Sequence, residues 1–392
     1  MPVSKNNAPD QGFGIYFHWP FCRKKCPYCD FNSHVRETVD QKRWTTALLK
    51  ELAWFAAQVP RREVGSIFFG GGTPSLMLPE TVAALIDGVS AHFPLLKDIE
   101  ISLEANPTSA EAKSFKGYRA AGVNRLSMGV QSLHDEALRF LGREHSVAEA
   151  LKTITLARDV FSNISFDLIY ALPNQSLSDW QQDLKQALTL AGDHLSLYQL
   201  TIEPNTGFAG AYKRGEFDLP RDSLADELFS ETQRICSEAG LPAYEISNHA
   251  RVGFECRHNL TYWRYGHYIG IGPGAHGRPE VDGVRRAYRQ LKRPEKWLAL
   301  TEEQGHGTEA FDILDTPVDL AEEQLLMGLR LREGVWLENF EMTVGKPLSD
   351  FISNRQTERL VDAGFIHLDE RRLVATDKGR FVLNSLLAEL LS

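Results

Sequence analysis

The sequence predicts an α/β chain: an open six-stranded (β/α)6 barrel followed by a smaller C-terminal α+β domain. Three observations carry that prediction. Six short runs of β-branched and aromatic residues alternate with segments of helical periodicity, which implies parallel strands joined by right-handed crossovers. Cysteine, glycine and carboxylate groups recur directly after those runs, where the loops of a barrel gather on one face. Beyond about residue 310 the pattern changes to helices around one short hairpin.

In chain order, the strand-like runs are GIYFHW (14–19), VGSIFF (64–69), DIEISLE (98–104), VNRLSMGV (123–130), ISFDLIY (164–170) and HLSLYQL (194–200). Each is short, apolar or β-branched, and bounded by turn-forming residues. Helical patterns lie between them, as in RWTTALLKELAWFAAQV (43–59), PETVAALIDGVSAHF (79–93) and SDWQQDLKQALTLA (178–191). Three cysteines follow the first strand and GGGTPS (70–75) follows the second. Glu104 ends the third in LEANP, Gln131 follows the fourth in MGVQS, and Asp167 closes the fifth in DLIYALP.

The chain has 392 residues, 43% hydrophobic and 24% charged, which predicts ordered domains except at the polar first residues. A formal charge of −9 argues against a general nucleic-acid binder, which needs a basic face to displace counterions. No apolar run approaches the roughly 18 residues that span a bilayer, and the first residues show no basic start followed by an apolar stretch. These features predict a cytoplasmic protein. No internal repeat or low-complexity tract is present.

In a reducing compartment, clustered thiols point to metal or redox chemistry rather than structural disulfides. Cys22, Cys26 and Cys29 are spaced C-x3-C-x2-C. Three thiols do not close a tetrahedral zinc site, although His18 or His34 would supply a fourth ligand. They suit three irons of a four-iron cluster, with the fourth iron open to a small molecule. Cys236 and Cys256 stand alone and read as ordinary core thiols. GGGTP reads either as a tight strand-to-helix turn or as a place where backbone approaches a ligand closely. Glu104 and Asp167 suit helix capping and ribose binding equally.

CRKKCPYC with upstream Tyr16, GGGTP, LEANP, GVQS, LGREHS and DLIYALP together resemble the radical S-adenosylmethionine superfamily, whose fold is such a partial TIM barrel. The match is nearest to the anaerobic coproporphyrinogen III dehydrogenases and their relatives, and runs from about residue 13 to 280. The resemblance implies that Cys22, Cys26 and Cys29 hold a [4Fe-4S] cluster whose open iron takes the amino and carboxylate groups of S-adenosylmethionine. It implies cofactor contacts at Tyr16, Tyr28, Gly71, Gly72, Thr73, Glu104, Gln131, Arg143 and Asp167. Among these, backbone at Gly71 and Gly72 would meet the methionyl amino group, Arg143 its carboxylate, and Asp167 the adenosine portion. One electron from the reduced cluster would then cleave the sulfonium to give a 5′-deoxyadenosyl radical.

One departure redirects the function. The dehydrogenases carry a fourth cysteine in C-x3-C-x2-C-x-C, and this chain has Phe31 there. The CDF ending resembles the sister group of radical S-adenosylmethionine haem chaperones of the HemW type. HNLTYW (258–263) fits that group's H-N-x-x-Y-W pattern, which implies haem iron on His258 with Tyr262 and Trp263 against the macrocycle. His267 and Cys256 are alternative iron ligands, and His276 lies in a turn near the cofactor face. The resemblance implies haem delivery to respiratory apoproteins at the cytoplasmic side of a membrane, peripheral contact with that membrane, and a homodimer. Two rival readings are an oxygen-independent coproporphyrinogen III dehydrogenase and a haem-binding module with a merely structural cluster.

Four segments follow. Residues 1–12 are expected to be flexible, 13–205 form the barrel, 206–310 extend it with the HNLTYW motif and a linker, and 311–392 form a winged-helix-like domain. In the last, 319–334, 348–364 and 377–391 read as helices and 365–376 as a hairpin. From 318 onward 13 acidic residues face 9 basic ones, which disfavours DNA binding. The basic stretch VRRAYRQLKRPEK (284–296) reads as a solvated linker face, with acidic partners or anionic lipid as its alternative contacts.

Overall fold

The six predicted strands all form, in the predicted order. They are β1 (Phe13–Trp19), β2 (Val64–Gly71), β3 (Leu95–Ala105), β4 (Arg125–Gln131), β5 (Asn163–Tyr170) and β6 (His194–Gln199), each parallel to the next. Two strands extend the sheet. β7 (Asn248–Ala250) runs antiparallel on β6, and β8 (His267–Ile271) lies parallel on β1, pairing Ile269 with Ile15. The hydrogen-bonded order is therefore β8-β1-β2-β3-β4-β5-β6-β7, an eight-stranded open path. The computed structural model describes residues 8–313 and 316–391.

Crossover helices cover one face of this sheet. They include α1 (Gln41–Ala56), α2 (Pro79–His92), α3 (Phe115–Ala121), α4 (Val147–Val160), α5 (Leu177–Leu190) and α6 (Asp222–Glu238). α4 and α5 start on capping boxes, Ser146 with Glu149 and Ser176 with Asp179, which satisfy orphan backbone donors at the helix start. Alternate strand residues (Ile15, Phe17, Ile67, Phe69, Leu103, Leu126, Met128, Phe166, Leu197) join Leu48, Leu52, Leu85 and Ile154 in the main core.

Successive strand side chains point to opposite faces. The other face is polar: register places Gly14 beside Ser66, Ser66 beside Glu100, Ser102 beside Arg125, Glu104 beside Ser127, Ser127 beside Ser165, and Asp167 beside Ser196. Parallel strands buried on both sides usually read as continuous apolar runs. These carry a buried polar interior instead.

Residues 316–391 have a separate core built from Leu325, Leu329, Phe340, Leu373 and Leu386. Helices at Pro317–Gly328, Leu337–Val344 and Asn354–Asp362 stand with a small antiparallel sheet ordered Val335–Trp336, Arg372–Ala375, Ile366–Leu368. The hairpin is as predicted. The segment expected as one helix over 348–364 is instead a short 3-10 turn at Leu348–Asp350 and a helix that begins only at Asn354.

Two expectations about connecting segments are corrected. Residues 284–290 are a strand, Val284–Gln290, in a small antiparallel sheet rather than a linker face. Arg285 is buried there, donating to the Tyr265 and Gly266 carbonyls with its guanidinium 3.8 Å from the Tyr265 ring centre. Residues 1–7 lie outside the described residues, but 9–12 are held: Asn339 donates to the Pro9 carbonyl and Gln11 to the Arg264 carbonyl.

Candidate functional site

At the C-terminal ends of β1 to β6 the sheet opens into a cleft of about 410 Å³. Its lining includes Cys22, Cys26, Tyr28, Cys29, Gly71, Gly72, Thr73, Glu104, Gln131, Arg143 and Asp167. Every cofactor residue expected from the sequence is thus in this cleft except Tyr16 and His258.

The cysteine loop leaves β1 through a two-residue strand, Phe21–Cys22, which pairs with His34–Val35. The glycine turn locks onto it. Gly72 N–H donates to the Trp19 carbonyl at 2.7 Å, and Thr73 N–H to that of Phe21 at 2.9 Å. A Cβ on Gly72 would stand 2.8 Å from the Phe21 oxygen and 3.0 Å from the Cys22 sulfur, so only glycine fits against the thiol. Gly71 adopts φ +113° and donates to Glu104 Oε2 at 3.2 Å.

Each thiol meets a donor from the surrounding frame. Thr73 Oγ1 donates to Cys22 Sγ at 3.3 Å and Arg143 Nη1 to Cys26 Sγ at 3.4 Å, while Cys29 Sγ and Ser33 Oγ lie 3.8 Å apart. Arg143 also donates to Asn106 Oδ1 at 2.6 Å and the Gly129 carbonyl at 2.9 Å. Glu111 continues the chain, accepting from Asn106 N–H at 2.7 Å and from the Ser75 hydroxyl. Burial raises the Cys22 and Cys29 thiols above their ordinary value, offset by the Thr73 bond at Cys22 and by the Phe31 backbone and Ser33 at Cys29. Tyr28 packs its ring on Phe208, 6.3 Å between centres, and Gln131 is held at φ +70°.

The Radical SAM superfamily matches residues 16–187, and the HemN C-terminal domain matches 315–382. Radical S-adenosyl methionine domain-containing protein 1, mitochondrial, of Mus musculus is 41% identical, covering 100% of this chain and 90% of that protein. Proteins named heme chaperone HemW are 39% identical in Escherichia coli and 38% in Haemophilus influenzae, each covering 95% of this chain and 96% of the relative. This chain belongs to the HemW-type branch of the radical S-adenosylmethionine superfamily. The solved structure of coproporphyrinogen III oxidase, HemN, from E. coli shares the fold, with a TM-score of 0.81 at 24% identity over 98% of this chain and 91% of that one.

Radical S-adenosylmethionine membership implies a [4Fe-4S] cluster and S-adenosylmethionine, and the residues fit both by donor chemistry. Three thiols with one hydrogen-bond donor apiece suit anionic sulfur ligands to iron. Neither histidine completes a zinc site. The His18 ring nitrogens are taken by Tyr16 OH at 3.0 Å and the Asn32 carbonyl at 2.9 Å, and His34 Nε2 by Asn32 Oδ1 at 3.1 Å. Among the described residues no three His, Cys, Asp or Glu side chains converge on a common metal position. The fit therefore rests on the kind of ligands, not on preset distances.

The HemW motif residue His258 lies at the opposite, N-terminal end of the strands, on α7 (Arg257–Trp263). It is 1% exposed. Ser66 Oγ is 2.8 Å from its Nδ1 and the Tyr262 hydroxyl 2.6 Å from its Nε2, so both ring nitrogens are occupied. Phe68 and Tyr16 stack on the ring at 5.1 and 6.2 Å, and Tyr16 thereby belongs to this cluster rather than to the cleft. Trp263 lies under the Arg330 guanidinium at 4.6 Å. Cys256 is buried and donates to Glu100 at 3.4 Å. His267 is held by the Arg278 carbonyl at 3.3 Å, and His276 is exposed on a strand paired to Arg289. Cys236 is fully buried, as expected of a core thiol.

Sequence reading named LEANP without giving Asn106 a role, and it passed over Glu100, Glu111 and Arg125. Glu100 and Arg125 carried a signal: a charge in the middle of an apolar strand run, at the spacing that puts it on one face with Glu104 or Ser127.

Proposed function

We propose that this chain is a haem chaperone, which binds haem and hands it to respiratory apoproteins while carrying a [4Fe-4S] cluster and S-adenosylmethionine in the cleft. One observation carries the choice over porphyrinogen oxidation. Phe31 stands where the dehydrogenases have their fourth cysteine, and its ring is 60% exposed at the cleft mouth, two residues from Cys29. An apolar ring there has no thiol to relay hydrogen. The names of the E. coli and H. influenzae relatives support the same reading.

In this reading Cys22, Cys26 and Cys29 hold the cluster, which when bound supplies an electron to the cofactor. Arg143 places positive charge beside Cys26, and the Gly71 to Thr73 turn fixes the cysteine loop. Glu104 and Asp167 form a carboxylate floor for the cationic and ribose parts of S-adenosylmethionine, with Tyr28 as a wall and Gln131 at the rim. His258 is the proposed haem ligand. Its use requires the Tyr262 hydrogen bond to break and α7 to move from the strands it covers. The proposal includes a cytoplasmic site of action, peripheral contact at the membrane face where acceptors sit, and a homodimer. The murine relative's name places that protein in mitochondria, and no helix among the described residues is long and apolar enough to cross a membrane.

The shared fold with coproporphyrinogen III oxidase keeps one rival, oxidative decarboxylation of coproporphyrinogen III. The test assays anaerobically reconstituted protein for haem binding and for protoporphyrinogen formation with S-adenosylmethionine and reductant. Haem binding without conversion is expected. Turnover on the order of one per second, or within a few decades below it, would overturn the chaperone reading.

A further inference from the structure

The inner face of the sheet holds more acid than base. Glu104 and Asp167 line the same cleft floor, on β3 and β5, one on either side of β4; Ser127 of β4 is in register with Glu104 and its hydroxyl reaches Asp167. Glu100 lies deeper on β3 and is already committed, accepting from the Arg257 and His258 backbone N–H groups and the Cys256 thiol. Against these three carboxyls stands Arg125 on β4. It is 2% exposed, its Nε is buried without a partner, and among the described residues its side chain makes no ion pair. Arg143 at the rim is committed to Cys26, Asn106 and Gly129.

Beyond Tyr198 lies Glu245, which is ion-paired with Arg330 at 3.5 Å; the nearer tyrosines and histidines bring no further charge. Tyr16 of β1 lies behind Glu104 on the side of the His258 cluster, where burial pushes its hydroxyl up, and Tyr198 of β6 stands half-exposed at the floor; both phenols stay neutral. His194 of β6 is also neutral, burial lowering it, with its nitrogens on Ser165 and Tyr244. His258 lies beyond Tyr16 and is lowered by burial in the same way. Two carboxyls half-buried in one cleft floor do not both ionise without compensation. Burial first, then the Asp167 charge, pushes Glu104 up to about 8. Burial pushes Asp167 up to about 6, opposed by the Ser196 hydroxyl and then by Arg125.

We propose that Glu104 and Asp167 hold one proton between the two of them in the ligand-free protein, most of it on Glu104, and release it to solvent when a ligand bearing a fixed positive charge enters the cleft. That ligand is S-adenosylmethionine, so the inference rests on the cleft being its site. The sulfonium charge cannot be removed by deprotonation. Placed over the floor, it favours both carboxylates in the ionised form, and the carboxyl O–H bond breaks with its proton leaving through the open cleft. No electron moves. Arg125 is the fixed counter-charge that holds the shared proton to one rather than two.

Calorimetry on the iron-reconstituted full chain tests this, with S-adenosylmethionine titrated at pH 7 in buffers of different ionisation enthalpy. The slope of heat against that enthalpy counts protons released. S-adenosylhomocysteine is the control: it keeps the ligand's own amino group and lacks the sulfonium charge. The sulfonium ligand should release about 0.5 to 1 proton more than the control, and its affinity should weaken up to about tenfold per pH unit below neutrality. Glu104→Gln should remove the difference, and Asp167→Asn should reduce it, since burial still raises Glu104 there. Equal release by both ligands, with both bound by the wild-type chain, overturns the proton step alone. Failure of S-adenosylmethionine to bind saturably overturns the cleft assignment, and the proton step falls with it.

Discussion

Tyr262→Phe tests whether His258 is the haem ligand. In the described structure the Tyr262 hydroxyl is 2.6 Å from Nε2 of His258 and Ser66 Oγ is 2.8 Å from Nδ1, so both ring nitrogens are engaged in either tautomer. Iron coordination through Nε2 must first break the tyrosine bond. A buried neutral hydrogen bond of this kind contributes about 0.5–1.5 kcal/mol net. Removing the hydroxyl deletes that cost before haem arrives, so the variant should bind haem about two- to twelvefold more tightly. Haem titration followed by absorbance reads the effect. Ser66→Ala is the control, since it removes the partner of the other nitrogen and leaves Nε2 engaged; it should not tighten binding. His258→Ala should weaken binding or shift the haem spectrum. Equal affinity in wild type and Tyr262→Phe, or unchanged haem spectra in His258→Ala, would refute the assignment and move the search to other ligands.

Three further outcomes are expected. Anaerobic reconstitution should give about four iron and four sulfide per chain, and Cys26→Ala should lose most of both, measured by metal analysis and visible absorbance. Phe31→Cys should not create coproporphyrinogen conversion, because placing a substrate takes a whole pocket rather than one thiol; product formation above background in that variant would count against the proposed role of Phe31. Glu51 on α1 is 0% exposed and accepts from Gly272 N–H at 2.8 Å, Gly307 N–H at 2.7 Å and the Trp297 indole at 3.0 Å. Burial pushes it from 4.5 to about 7 against those donors, so its contribution to stability is fully present below about pH 4.5 and is lost as pH rises to about 7. Glu51→Gln should flatten that decline, and a denaturation series from pH 4.5 to 7.5 with unchanged slope would contradict it.

Much of the site was legible because its signals are local. The C-x3-C-x2-C spacing, the glycine turn and the carboxylates at strand ends each need only a few neighbouring residues to be read, and strand-helix alternation then brings them to one face of the sheet. The eight-residue interval from Cys22 to Cys29 states its chemistry without a fold. Glu51 shows the opposite case. Its three donors stand more than 200 positions away, and nothing near it in the chain distinguishes it from a solvent-facing glutamate on a helix.

Length, alternation and motif spacing thus determined the six parallel strands, their order, the cysteine loop and the family. Only the tertiary structure decided that β8 would pair beside β1, that 284–290 would be a strand with a buried arginine, and that Tyr16 and His258 would share a cluster away from the cleft. It also decided that Arg125 would face Glu104 and Asp167 inside the sheet. The physical reason is register. Side chains alternate along a strand, so a shift of one residue sends a whole row from the core to the polar interior. That choice is made by contacts between segments far apart in sequence, which strand periodicity cannot specify.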